Sequence, residues 1–164
     1  MYDDHDGSAL WDFALAAYAR PGVAPLCLAL QDHHGANVML MLHLCHCAAR
    51  GQAAVDVAAA AHAMAPLEHH LIAPLRRARR AISAAAETLG DATLRASAKR
   101  LLRAELAAER LQCLRVDDPV ASPGEGHTAR DAAAQLLHVC FLSLPGEGWQ
   151  RQAADALAEA VFSA

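Results

Sequence analysis

The sequence has few aromatic residues and none of the short motifs that mark common enzyme classes. Phe, Trp and Tyr make up 4% of the 164 residues, which argues against a β-sandwich, because strands favour aromatic and β-branched side chains. There is no glycine-rich phosphate loop, no CxxC pair, no HExxH and no GxSxG. The usual support for nucleotide, zinc and serine-hydrolase chemistry is therefore missing, and whether the protein is an enzyme stays open.

A secretion signal and a long apolar run are also absent. The N-terminus is acidic where a secretory signal would be basic. The longest stretch without Lys, Arg, Asp or Glu covers 33–49, which is 17 residues with four His, too short and too polar to span a membrane. The five Cys are an odd number, and we interpret them as reduced, small hydrophobic residues. These features predict a cytoplasmic protein without a membrane contact.

Alanine is the abundant residue, with 41 copies or 25% of the chain. Alanine has the highest helix propensity and permits close helix contacts, and Pro and Gly divide the chain into helical segments. The sequence therefore predicts an all-α fold, a single compact helical bundle of about seven to eight helices. We expect one domain over 1–164, with a flexible N-terminus at 1–7 and an exposed loop at 117–127.

Three expectations concern the arrangement of these helices. The helix at 37–50 is apolar nearly all round and should be central, and Asn37 is well placed to cap its start. Pro74 should kink or split the following long run near Ile72. An apolar stripe in that run predicts an antiparallel packing seam; its members are Leu67, Leu71, Leu75, Ala78, Ile82, Ala85 and Leu89.

Charge is distributed unevenly along the chain. Residues 76–115 carry ten Lys or Arg against four acids, whereas 1–75 and 116–164 each carry two against seven. The basic middle either packs beside acidic flanks within the fold or forms a basic face for an anionic partner. Nucleic acid is the less supported partner, because no aromatic residues are interleaved to stack on bases.

The first candidate site is a pair of acids on the long helix at 92–116. Helical winding at 100° per residue places Glu105 and Glu109 within its apolar stripe. A buried carboxylate must be paired, hydrogen-bonded, metal-bound or protonated. One interpretation is a salt bridge to Arg76, Arg79 or Arg80 on the preceding helix. The other is a functional carboxylate pair with a raised pKa, suited to acid–base chemistry or to holding a metal.

Two further polar clusters are candidates. Gln31, Asp32, His34 and Asn37 lie at one helix junction, where they either fix the turn or form a binding or catalytic site. A second cluster has i, i+3, i+4 spacing, which places three possible metal ligands on one side of a helix; its members are His43, His46 and Cys47. Side chains of this kind in an apolar helix are more often simply packed.

Several segments resemble an uncharacterised proteobacterial family, domain-of-unknown-function family 2390. The resemblance is strongest in LWDFAL, YARPGV and CLALQDHHG near the start, continues through PLR and AELAAERL, and spans about residues 10–115. It implies an all-helical cytosolic protein of no established activity and assigns no catalytic residues. This chain departs from the family pattern at Met39, where Asn is usual, and at His43 and His46, where aromatic residues are usual.

Two hypotheses for function follow. The leading one is a non-catalytic interaction or accessory protein that offers a basic helical surface to a protein partner. The alternative is a small-molecule or metal-binding protein, or an enzyme, whose site is built from Gln31, Asp32, His34, Glu105 and Glu109. The sequence identifies no cofactor.

Overall fold

Helices form almost all of the regular structure. The computed structural model describes residues 9–116 and 128–163, and within these ranges the chain forms eight α-helices, one short π-helical segment and no strand. The α-helices are α1 (Ala9–Tyr18), α2 (Val23–His34), α3 (Val38–Ala49), α4 (Val57–Leu67), α5 (Ala73–Leu89), α6 (Ala92–Cys113), α7 (Ala129–Phe141) and α8 (Gln150–Phe162), and the π-helical segment is Glu68–Ile72. The predicted all-α class is confirmed.

The junction between α2 and α3 follows the sequence pattern closely. Gly35 ends α2 with φ of 71°, the left-handed conformation that glycine adopts without a steric penalty. Two residues later, the side chain of Asn37 accepts a hydrogen bond of 3.0 Å from the backbone N–H of Leu40. The predicted N-cap is confirmed, and it fixes the direction in which α3 leaves the turn.

The long run that contains Pro74 changes its helix type where the sequence predicts a kink or a split. The π-helical segment ends at Ile72, and Pro74 lies in the first turn of α5. Proline has no N–H to donate and is tolerated in the first turn of a helix but not in its interior. The predicted change near Ile72 is therefore present as a transition from π-helix to α-helix, whereas a split is not, because the chain stays helical from Val57 to Leu89.

The described helices form two compact units, divided as Met1–Ala61 with Asp117–Ala164 and as His62–Val116. In the first unit, α3 packs against α1 and α7, and α7 packs against α8. Every residue from Met39 to Ala48 is buried, so α3 is the central helix that its composition predicts. The largest fully buried side chains of this unit include Leu10, Met41, Leu42, Leu44, Leu137, Phe141 and Leu157.

The second unit is built on a helical hairpin. Gly90, with φ of 65°, ends α5, and the side chain of Asp91 caps α6 by accepting from the N–H groups of Thr93 and Leu94 at 2.7 and 2.9 Å. Arg76 contacts Glu109, and Arg79, one turn later in α5, contacts Glu105, one turn earlier in α6. The two helices are therefore antiparallel.

The predicted apolar stripe of α5 is wrong about which face of the helix is buried. On the α5 side the buried residues are Ile72, Arg76 and Ala86, each one position after a member of the predicted stripe, whereas Leu71 and Leu89 are 38% and 71% exposed. One residue corresponds to a rotation of about 100°. The hairpin buries a line containing arginines because the facing helix supplies carboxylates to pair with them, as described below.

Three other expectations are limited by what the structure covers. The predicted flexible N-terminus at 1–7 and the predicted exposed loop at 117–127 lie outside the described residues. The single domain over 1–164 stays a prediction.

Among the described helices, none alone has both the length and the apolar character to cross a membrane, although α1 and α2, bent by 102° at their break, meet those two criteria as a pair.

Candidate functional site

Arg76 is the centre of a group of five charged side chains in the second unit. Its Nε donates to Glu105 at 2.9 Å, its Nη1 to Glu68 at 3.1 Å and its Nη2 to Glu109 at 3.3 Å. Arg79 also binds Glu105, with 2.6 Å between Nε and Oε2. We call Glu68, Arg76, Arg79, Glu105 and Glu109 the charge cluster. It ties three segments together: the π-helical segment, α5 and α6.

Helical spacing explains how the charge cluster assembles. Arg76 and Arg79 are three residues apart on α5, and Glu105 and Glu109 are four apart on α6, so each pair shares one face of its helix. Antiparallel packing then brings the two faces together. The predicted ion pairing of Glu105 is confirmed for two of the three candidate arginines, whereas Arg80 lies on the exposed side of α5.

Burial determines the electrostatics of the charge cluster. Glu105 is 4% exposed and Arg76 is 9% exposed, and an ion pair is screened little at such depth. Burial would lower the pKa of the Arg76 guanidinium, but Glu68 and Glu105 outweigh it and hold that pKa above its ordinary value. Arg76 is therefore a permanent cation that organises the three carboxylates around it.

Glu109 is a carboxyl group of the charge cluster with a raised pKa. Burial raises the pKa of Glu109 to about 7, with smaller contributions from the negative charges of Glu105 and Glu68, while Arg76 acts in the opposite direction. A carboxyl group with this pKa exchanges a proton close to neutral pH. Such a group has the property expected of an acid–base residue, although ion-pair networks that only support a fold show the same shift.

Gln112 extends the polar interior of the second unit beyond the charge cluster. Its side chain is fully buried, and its Nε2 donates to the backbone carbonyl of Met64 at 3.0 Å. Its Oε1 is buried without a hydrogen-bond partner among the described residues. The amide therefore joins the last turn of α6 to the last turn of α4, which leads directly into the π-helical segment.

The α2–α3 junction holds the second predicted cluster, in the first unit. Asn37 has the structural role given above, and Gln31 and Asp32 lie at the end of α2. His34 stacks on Trp149, with 3.7 Å between ring centroids and 14° between ring planes. Sequence reasoning missed Trp149, which is distant in the chain, and no pattern in the sequence indicates that it meets His34.

Gly146 provides a specific test of the stacked pair. A Cβ at Gly146, where φ is 93°, would lie 3.0 Å from Nε1 of Trp149, whereas a Cβ at Gly148, where φ is 85°, would meet nothing within 4 Å. We expect Gly148→Ala to lower the free energy of unfolding by about 1 kcal/mol through backbone strain. Gly146→Ala should lower it by about 1 kcal/mol more, because the Trp149 ring must move. Equal losses, measured by urea unfolding followed by tryptophan fluorescence, would contradict the contact.

The third predicted cluster consists of buried residues of α3. The Sγ of Cys47 lies 3.6 Å from Nε2 of His43, and His46 stacks on Phe13 with 5.0 Å between ring centroids. In the part of the chain that the structure describes, no group of three or more His, Cys, Asp or Glu side chains could hold a metal ion. His43, His46 and Cys47 are buried in the core of the first unit, and a metal role for them stays a prediction that this geometry does not favour.

The proposed combination of the two polar clusters stays a prediction. Gln31, Asp32 and His34 belong to the first compact unit, and Glu105 and Glu109 belong to the second. Each group has its own local partners: an aromatic ring for His34 and arginines for the two glutamates. A ligand site that uses both groups remains untested.

These features define an all-helical protein whose most polar interior is an arginine–carboxylate cluster between two antiparallel helices. The chain belongs to the family described as protein of unknown function (DUF2390), whose family model matches residues 9–116. The match runs from α1 to just beyond α6 and includes every member of the charge cluster. No curated protein matches the chain. No solved structure matches it.

Proposed function

We propose that this protein is a non-catalytic interaction protein of the cytoplasm, whose α5–α6 hairpin binds an acidic protein partner. The observation that carries the proposal is the division of charge within the second unit. Residues 62–116 contain ten Lys or Arg and five acids. Three of those acids are the glutamates of the charge cluster, which Arg76 and Arg79 bind internally.

The charges that remain on the hairpin are strongly basic. Outside the charge cluster, 62–116 has eight Lys or Arg and only two acids, an excess of six positive charges. One of these acids, Asp91, is committed to capping α6. Most of the eight cations are exposed; they are Arg77, Arg95, Lys99, Arg100, Arg103 and Arg115, whereas Arg110 is half-buried and Arg80, although exposed, has an interaction of its own. A surface of this kind attracts an acidic partner over distances up to about one Debye length.

Exposed leucines favour a protein over a nucleic acid as the partner. The second unit has no aromatic residue, and proteins that bind single-stranded nucleic acids use aromatic rings to stack on bases. It does expose large apolar side chains among the cations: Leu71, Leu89, Leu102, Leu106, Leu111 and Leu114. Apolar side chains surrounded by charge are typical of a protein interface. The apolar side chains form the buried contact, and the charged residues at the rim attract and orient the partner as it approaches.

The cytoplasmic location is supported by the cysteines. All five are free and buried, which is typical of a reducing compartment. A secreted protein of this size commonly uses its cysteines for disulfides instead. The thiols therefore agree with an interaction that takes place inside the cell.

The test compares two charge-reversal variants of equal size. Arg100→Glu/Arg103→Glu alters two exposed cations of α6, and Arg50→Glu/Arg151→Glu alters two exposed cations of the first unit. The untagged protein is isolated from its own cells at low salt, and bound proteins are identified by native mass spectrometry. The partner is then purified and recombined with each variant. We expect the wild type and the first-unit variant to bind an acidic protein, and the α6 variant to lose at least about tenfold in affinity.

Three results would contradict the proposal. The first is the absence of any reproducible partner at low salt, where charge contacts are strongest. The second is a partner that both variants bind equally well. The third is a complex that nuclease treatment removes, which would indicate a nucleic acid in place of a protein.

A further inference from the structure

A groove runs between α5 and α6 on the basic hairpin. Its volume is about 280 Å³, and its lining residues all belong to the second unit. They are Arg79, Ser83, Ala86, Glu87, Arg95, Ala98, Lys99 and Leu102. The groove is therefore a property of the hairpin itself.

The groove combines an apolar floor with a basic rim. Leu102 is 41% exposed and supplies the apolar surface that water reaches, whereas Ala86 and Ala98, which complete the floor, are buried. Arg95 and Lys99 lie one turn apart on α6, on the same side as the groove. A ligand that fits must carry both an apolar group and a negative charge.

The two rim cations of α6 are available to a ligand. Arg79 is held by Glu105. By contrast, neither Arg95 nor Lys99 forms an ion pair with a carboxylate in the described ranges 9–116 and 128–163, and the hydrogen bond of Arg95 goes to the carbonyl of Gly90 at 3.2 Å. Glu87 lies on the opposite wall, so the unpaired charges of the groove, Arg95 and Lys99 against Glu87, have an excess of one positive charge.

The size of the groove restricts the occupant. Sites for drug-sized ligands and cofactors measure about 300–1,000 Å³, so this groove is small for a whole cofactor. It is large enough for one aliphatic side chain together with a neighbouring carboxylate. Interfaces commonly obtain most of their affinity from one or two such anchors placed in a pocket.

We propose that this groove is the anchoring pocket for the acidic partner, receiving one leucine-like side chain on Ala86, Ala98 and Leu102 while Arg95 and Lys99 bind an adjacent carboxylate. This inference rests on the proposed function and specifies the kind of segment recognised: an aliphatic residue flanked by acids. The charges on the groove and on the segment are complementary. The floor distinguishes such a segment from a purely acidic one.

Two synthetic peptides test the pocket directly. The first has the sequence Glu-Glu-Leu-Glu-Glu and the second Glu-Glu-Ser-Glu-Glu, both with blocked ends and equal charge. Binding is followed on the isotope-labelled full chain by NMR of the backbone amides, which detects complexes with dissociation constants of about 1 mM. We expect the leucine peptide to shift the amides around Ser83–Glu87 and Arg95–Leu102 and to bind at least about fivefold more tightly than the serine peptide.

Variants of α6 provide matched controls. Lys99→Glu and Leu102→Asp change the groove, whereas Arg115→Glu and Leu111→Asp change another exposed cation and another exposed leucine of α6 and its C-terminal end, outside the groove. The groove variants should weaken binding of the leucine peptide at least about fivefold, and the outside variants should leave it within about twofold. Equal binding of the two peptides, shifts spread over the whole basic surface, or no binding at all would overturn the pocket.

The same variants separate this inference from the proposed function. If the purified partner binds Lys99→Glu and Leu102→Asp as tightly as wild type but is lost from Arg100→Glu/Arg103→Glu, the pocket is wrong and the basic docking surface stands. If no partner is found for the wild type, the proposed function fails whatever the peptides do. Loss of the partner from both groove variants, with the outside variants unaffected, supports both.

Discussion

Replacing Glu105 with alanine is expected to lower the free energy of unfolding by about 3 kcal/mol, near the lower end of the range for breaking a buried ion pair on one side. Glu105 is the shared partner of Arg76 and Arg79. Without it, Arg79 loses its carboxylate, whereas Arg76 keeps Glu68 and Glu109. The measurement is urea unfolding followed by far-ultraviolet circular dichroism, because the second unit contains no aromatic reporter.

Glu87→Ala is the control for this substitution. Glu87 lies on the exposed surface of α5 and forms no ion pair within the part of the chain that the structure describes. Its removal should change the free energy of unfolding by no more than about 0.5 kcal/mol. Glu105→Gln, which keeps the shape of the side chain, should lie between the two. If Glu105→Ala also stays within that limit, the charge cluster does not stabilise the fold.

The second large effect is a pH dependence that originates in Glu109. The pKa of Glu109 is about 7 in the folded chain, against an ordinary value of 4.5. Because the folded chain holds this proton more tightly than the unfolded chain, the associated stability is present in full below the ordinary pKa. It is lost as the pH rises through about 7, and a shift of this size corresponds to about 3 kcal/mol.

Glu109→Gln removes this titration and imitates the protonated side chain. We expect the variant and the wild type to have similar free energies of unfolding near pH 5, and the variant to be more stable by about 2 kcal/mol near pH 8, a smaller figure than the full shift because the side chain is partly solvated. Urea unfolding across this pH range measures the difference. Glu87→Gln, the same substitution at an exposed position of α5, is measured alongside as the reference. A constant difference for Glu109→Gln would show that Glu109 is ionised throughout.

The helices were predictable because their ends are marked by local chemistry. The bounds of α2, the cap at Asn37 and the start of α5 just after Ile72 each depend on one or two residues whose conformational preferences act regardless of the rest of the fold. The centrality of α3 follows in the same way from a helix that is apolar on every side.

The rotation of α5, that is, which of its faces is buried, was harder to predict, because two predictions about it conflicted. An apolar seam through Leu71 and Leu75 and an inward Arg76 require faces about 100° apart. Hydropathy ranks leucine as the more buried residue, but it takes no account of carboxylates on a facing helix. The ion pair with Glu105 keeps Arg76 on the buried face of α5, and this pair is visible only in the three-dimensional structure.

The remaining members of the two separate polar clusters depend on features without a sequence signal. Glu68 reaches Arg76 from the π-helical segment, and neither propensity nor periodicity predicts a π-helical turn. Trp149 stacks on His34, although the two residues are far apart in the sequence, because α2 packs against α8. Long-range contacts of this kind are fixed by how the helices pack.

The buried thiols make it possible to follow local unfolding of the chain by chemical labelling. Burial raises the pKa of Cys27 to about 12 and the pKa values of Cys47 and Cys140 to about 11, and the thiolate is the form that reacts with alkylating reagents. Alkylation in the native state must therefore wait for transient exposure of the sulfur. Because Cys113 lies in the second unit and the other four cysteines in the first, the order in which the sites are labelled records which unit opens first.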